Sequence, residues 1–217
     1  MATTPVPAKP AASVIFLRDS MEGVELLVAR RNPQLRMAGN FWVFPGGALE
    51  KADWDQAQAV NPDDELLPYR IAAVRETMEE VGLAIEAASL QYIAHWVAPD
   101  NMAVRFDTRF FVVQTPADQK AKVDGSELVE LRWLSPEEFV TKGKQGDYLM
   151  MLPTLANALR LVGFATVTEL LAEFAVQTIE PIKPELSFGN GKAVAKVPAE
   201  LGLGLTEWAF PYPVKPR

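Results

Sequence analysis

The most constraining stretch of this sequence is residues 68–81, where Ile71, Val74, Met78 and Val81 recur at helical spacing and Gly82 follows as a C-terminal cap. The spacing predicts an amphipathic helix with that apolar stripe turned to a core. On the same helix Glu76, Glu79 and Glu80 stand at i, i+3 and i+4, which predicts three carboxylates sharing one side. Like charges so placed repel by roughly 0.2–0.5 kcal/mol per pair, a repulsion that a divalent cation would turn into attraction. Most acidic helix faces are simply solvated. The residues that precede this one point elsewhere.

Two short β-branched and apolar runs, residues 13–18 and 24–30, flank a turn-like 19–23 and predict a β-hairpin. A third short strand, 41–44, runs straight into Pro45-Gly46-Gly47, which reads as a tight, exposed loop. Residues 49–67 are acidic and turn-prone, with Asn61-Pro62-Asp63-Asp64 as the capped start of a short helical turn, and are treated as an insertion. Past the acidic helix, strands are expected at 90–97, 104–114 and 128–133. Ser135-Pro136-Glu137-Glu138 opens a short helix, and 152–174 is largely helical. After Pro181 the chain turns Pro- and Gly-rich with little periodicity. Strands and helices alternating in mixed order make this an α/β chain.

Composition narrows the chemistry. With 217 residues, 49% of them hydrophobic, the chain holds one domain with an extension. It carries 21 basic and 28 acidic residues, a net charge of −7, and no basic run, which counts against long nucleic acid as a partner. A polyanionic substrate would need a bridging cation. The absence of Cys excludes disulfides, thiolate catalysis and thiolate metal sites. A single His, His95, excludes an all-His site, which leaves carboxylate-bound Mg²⁺ or Mn²⁺. No apolar run approaches the roughly 18 residues that span a bilayer. Residues 1–12 read as a flexible leader without a secretory signal, and 214–217 match no address signal, so a cytoplasmic protein is expected.

Residues 75–82 read RETMEEVG and follow the FPGG of residues 44–47. Together they resemble the Nudix hydrolases, whose box ends in R-E-apolar-x-E-E-x-G-apolar. The resemblance implies an α/β/α sandwich with a mixed β-sheet, an insertion inside the box and a C-terminal helical extension. It also implies divalent cations that grip a diphosphate while water cleaves the P–O–P linkage. By position it makes Glu79 and Glu80 metal ligands, Glu76 a further ligand or base-like carboxylate, and a backbone carbonyl of Gly46 or Gly47 another ligand. Arg75 would orient a glutamate. A further glutamate is expected from the loop before a late strand, where Glu127 is the candidate with Glu130 behind it.

The box departs from the usual pattern in length. Asp53 takes the place of its first Glu, and 21 residues rather than seven separate Asp53 from Arg75, an insertion of 14. In this it is similar to the mammalian peroxisomal coenzyme A diphosphatases and their bacterial relatives, as are residues 44–53, 70–82, 105–111 and 151–161. The likeness covers roughly 14–174, so the domain is set at 13–175 and the extension at 176–217. Leu26-Leu27-Val28-Ala29-Arg30, Arg36 and Gly39 resemble that branch's upstream signature, with Arg36 one place late. Arg30, Arg31 and Arg36 could then hold a terminal phosphate. The substrate implied is a nucleoside diphosphate linked to another group, with coenzyme A or acyl-coenzyme A first and ADP-ribose, NADH or another nucleotide derivative second. A nucleotide-sensing module without catalysis is the alternative of another class. The late Pro-rich segment either closes the site or builds a homodimer. Arg105, Asp107 and Arg109 share one strand face, either as a ladder toward a ligand or as a cross-strand charge ladder on a wet face, and His95 reads as an incidental polar residue.

Overall fold

The computed structural model describes residues 5–115 and 119–212. In chain order the elements are β1 (Lys9–Ser20), β2 (Gly23–Arg31), β3 (Trp42–Val43), β4 (Gly46–Ala48), α1 (Lys51–Val60), α2 (Leu67–Val81), β5 (Gln91–Val97), β6 (Phe106–Gln114) and β7 (Leu128–Leu134). There follow α3 (Pro136–Gln145), α4 (Leu152–Arg160), α5 (Val167–Ala175), β8 (Pro181–Ile182), β9 (Glu185–Gly189), β10 (Lys192–Lys196) and β11 (Glu207–Pro211).

Eight strands form one mixed sheet in the order β3-β2-β1-β6-β5-β8, with β4 added to β1 and β7 to β2. At its centre β1 runs parallel to β6, from Lys9 opposite Phe106 to Leu17 opposite Gln114. The expected hairpin is β1 with β2, antiparallel and closed by Gly23 at φ +115°. Along β1, Val14 and Phe16 enter the core on the α2 side while Ile15 and Leu17 enter the core shared with α3, α4 and α5, and all four are fully buried. An unbroken apolar run is what a strand covered on both faces requires. Helices on both faces of a mixed sheet make the expected α/β/α sandwich.

Four sequence expectations are corrected. Of the stripe Ile71, Val74, Met78, Val81 only Val81 is fully buried, since Met78 is 48% exposed and Ile71 and Val74 are half-buried, while Tyr69, Ala72, Ala73, Thr77 and Glu80 fill the rest of the buried face of α2. Small Ala72 and Ala73 let the helix close on the sheet, and this rotation carries Glu80 inward with them. The insertion is not turns but a ten-residue helix, α1, started by the Asp53 carboxylate accepting the Glu50 N–H at 2.8 Å. Residues 9–12, assigned to the leader, are the first of β1, held by pairing with β6. The last α-helix ends at Ala175, so the extension expected to be helical holds no α-helix among its described residues. Beyond β8 the chain builds a separate three-stranded antiparallel sheet, β11-β10-β9. Its strands are short and Gly-flanked, which hid their alternation. Residues 1–4 and the C-terminal 214–217 lie outside the described residues. No helix among the described residues is long and apolar enough to cross a membrane.

Candidate active site

Each chemically interesting side chain is placed by a neighbour that the local fold supplies. The FPGG residues do not form an exposed loop, because Gly46, Gly47 and Ala48 pair with Ser13, Ala12 and Ala11 of β1. Two glycines are needed there for different reasons. Gly46 has φ +145°, and a Cβ on it would lie 2.2 Å from the Ala12 carbonyl oxygen. A Cβ on Gly47 would lie 2.4 Å from the Glu76 carboxylate. The backbone N–H of Gly46 donates to Glu80 Oε2 at 2.8 Å. Glu80 is 4% exposed, and burial, reinforced by Glu127 and Glu76, pushes its pKa up to about 8 against the pull of the Gly46 N–H and Arg31.

A second chain of contacts runs through Arg75. Buried Asp53 receives Arg75 Nη2 at 2.9 Å and Nε at 3.2 Å, while Arg75 Nη1 donates to Glu76 at 2.8 Å and reaches Glu79 at 3.4 Å. Arg75 therefore positions glutamates rather than facing the cavity. Burial raises the Glu76 pKa, and Arg75 partly offsets this. Glu79 lies on the exposed side of the helix, so the three carboxylates do not share one face.

The third contribution is the loop before β7. Asp124 accepts the backbone N–H groups of Ser126, Glu127 and Leu128 and the Ser126 hydroxyl. Burial opposes its ionisation, yet these hydrogen bonds outweigh it and hold its pKa at about 2. The loop so shaped presents Glu127, which pairs with Arg31 at 2.8 Å. Arg31 Nε is buried and has no hydrogen-bond partner.

Gly46, Glu76, Glu80, Glu127 and Arg31 line one cavity of about 500 Å³. Arg30 and Arg36 do not line it. Arg30 is bound to Glu130 at 2.8 Å and to Asn40 at 3.1 Å, and Arg36 is exposed. Glu130, held by Arg30 and Arg132, also stays outside the cavity lining. Arg31 is thus the arginine at the site, one residue beyond the one that the signature marks, because alternation along β2 decides which of two adjacent arginines points inward. His95 is not incidental: its Nε2 lies 2.5 Å from Asp107 and 2.6 Å from Arg109, whose guanidinium stacks over Tyr69 on α2. Arg105 leaves the ladder to bind the Ala98 and Val6 carbonyls.

Among the described residues no three acidic side chains stand together in an ion-holding cluster. Gly46 holds Glu80, Arg75 holds Glu76 and Glu79, and Arg31 holds Glu127. The donor chemistry nevertheless fits Mg²⁺ or Mn²⁺: hard carboxylate oxygens, two of them on groups that burial pushes toward protonation, would gain from a divalent charge.

A family model described as NUDIX domain matches residues 7–153. The chain is 25% identical over 188 residues to the Caenorhabditis elegans protein "Putative nudix hydrolase 7", an alignment covering 70% of this chain and 60% of that protein. This chain therefore spans less than two thirds of that relative's length. The crystal structure of a NUDIX hydrolase from Alicyclobacillus acidocaldarius superposes with a TM-score of 0.72 at 24% identity, covering 82% of this chain and all of that one. A Deinococcus radiodurans protein superposes at 0.51 and 19% identity, covering 75% and 90%.

Proposed function

Because the chain belongs to the NUDIX domain family, we propose that it is a divalent-metal-dependent pyrophosphohydrolase. Its substrate is a nucleoside diphosphate linked to another group, coenzyme A or acyl-coenzyme A. The observation that carries this is one cavity in which Glu76, Glu80 and Glu127 meet Arg31 beside an otherwise largely apolar lining. Glu76, Glu80 and Glu127, with Glu79 from the exposed side of the same helix and the Gly46 carbonyl, would hold Mg²⁺ or Mn²⁺. When bound, the cation supplies charge neutralisation for the diphosphate and an acidified water.

The chain's own residues do the rest. Arg31 lines the cavity, where its guanidinium would meet the anionic substrate. Arg75, anchored on Asp53, keeps Glu76 aimed at the cavity, where it serves as ligand or base. Asp124 fixes the backbone from which Glu127 reaches in. Coenzyme A, as opposed to ADP-ribose, NADH or a diadenosine polyphosphate, is supported by the sequence phrases shared with that branch.

The test is Mg²⁺-dependent turnover of a panel of coenzyme A, acetyl- and longer acyl-coenzyme A, ADP-ribose, NADH and a diadenosine polyphosphate, with wild type and Glu79→Gln. Glu79 is 59% exposed, so its replacement leaves the fold alone. Coenzyme A species should give 3′,5′-ADP and phosphopantetheine, and the variant should fall by roughly a hundredfold or more. A panel that is not cleaved, with one member still raising the melting temperature, would favour nucleotide sensing instead.

A further inference from the structure

The family match ends at residue 153, but the cavity does not. Its wall continues into the three-stranded sheet of the extension, which contributes Leu186 from β9, Ala195 from β10 and Phe210 from β11. That sheet is seated firmly. Trp208 Nε1 donates to the Met150 carbonyl at 2.8 Å, and Phe210 meets Phe41 edge-on at 6.3 Å. The loop between β5 and β6 is tied to the same region, with Asn101 donating to the Leu186 carbonyl at 2.7 Å and Lys183 pairing with Asp100 at 2.5 Å. From this loop Met102 and Val104 join the wall.

The chamber is chemically divided. Its charged residues, Arg31, Glu76, Glu80 and Glu127, lie close enough to perturb one another. The residues that the extension and the β5–β6 loop place on the cavity wall, Leu186, Ala195, Phe210, Met102 and Val104 among them, all lack a side-chain hydrogen-bonding group. A nucleobase is recognised by hydrogen bonds to its edge, which no side chain of this wall offers. Val104 is 39% exposed and Leu186 half-buried, so apolar surface at the cavity is left for a ligand to cover. A thioether such as Met102 adapts to a flexible occupant.

We propose that this wall receives an unbranched aliphatic group carried by the substrate beyond its diphosphate, so that the extension sets substrate preference. The proposal rests on the pyrophosphohydrolase assignment and deepens it: the favoured substrates are the acylated ones, and Leu186 and Val104 are specificity-determining.

The experiment compares KM for free, acetyl-, butyryl- and octanoyl-coenzyme A in wild type, Leu186→Thr and Val104→Thr. Val104→Thr is near-isosteric, Leu186→Thr removes one side-chain atom, and neither position is fully buried. Wild-type KM should fall by roughly two- to fourfold per added methylene until the chamber is filled. In either variant the ratio of KM for free to octanoyl-coenzyme A should collapse severalfold toward one. A wild-type KM indifferent to chain length overturns the proposal while leaving the hydrolase standing. So does a rise in KM by the same factor for all four compounds, which would place the shared nucleoside on this wall. If none of the four is cleaved, the coenzyme A assignment fails separately. Calorimetric binding of free against octanoyl-coenzyme A then still decides whether the wall takes the chain.

Discussion

Glu80 concentrates the conflict in this site, a carboxylate with a raised pKa of about 8, buried yet held by a backbone N–H. A carboxyl whose pKa rises on folding contributes stability that is whole below its unfolded value near 4.5 and is lost as pH climbs through the folded value. Glu76, also raised by burial, acts with the same sign. The metal-free protein should therefore lose melting temperature between about pH 5 and 8, by the equivalent of a few kcal/mol. Glu80→Gln should flatten that slope, and Mg²⁺ should restore the wild type at pH 8. A flat wild-type profile in thermal unfolding across that range would remove Glu80 as its source. The neighbouring glycines separate two effects. Gly47→Ala forces a methyl into the Glu76 carboxylate without a positive φ, so turnover should drop by about a hundredfold while stability changes by less than about 1 kcal/mol. Gly46→Ala meets backbone at 2.2 Å and should destabilise the fold itself.

At the scale of elements, the insertion helix α1 is coupled to the glutamate-bearing α2 through the buried pair Asp53–Arg75, beside an edge-on contact of Trp54 with Tyr69. Asp53 is 3% exposed at its side chain and Arg75 22%, so removing the acid strands a largely desolvated guanidinium. Asp53→Ala should cost about 3 kcal/mol in denaturant unfolding. It should also weaken Mg²⁺ binding, because Glu76 loses the neighbour that aims it. Asp53→Glu, which supplies the residue usual at this place in the box, should recover part of both. An unchanged metal affinity in Asp53→Ala would mean that α1 supports the fold alone. The loop before β7 is a parallel case, in which Asp124 organises three successive N–H groups so that Glu127 is presented from a fixed backbone.

Taken as a whole, the molecule is a sandwich whose last 30 or so described residues return to cover the functional side. Ala193, Ala195, Val197, Leu203 and Phe210 belong to the same core as α3, α4 and α5. Truncation after Ala175 should therefore lower the melting temperature by on the order of 10 °C, read by scanning calorimetry, because several kcal/mol of burial disappears. An unaltered transition would make the extension a detachable appendage.

The hairpin, the capped helix α3 opened by Ser135 and the glutamate helix were legible because each is specified by neighbours in sequence: turn residues, a cap and a regular period. So was the family, since RETMEEVG and FPGG keep their residues adjacent. Which face of α2 turns inward was decided only in three dimensions. Two alanines approach the sheet more closely than Met78 could, and packing at that distance outweighs the size of the apolar stripe. The choice of Arg31 over Arg30 and Arg36 likewise depends on strand alternation and on the pull of Glu127 and Glu130, residues about 100 positions away. The apolar wall of the cavity was invisible for the same reason. Leu186, Ala195 and Phe210 are ordinary residues of short strands until the sheet they form is laid against the glutamates. Local spacing determined the chemistry this chain carries, whereas long-range packing, which no local pattern encodes, decided what that chemistry faces.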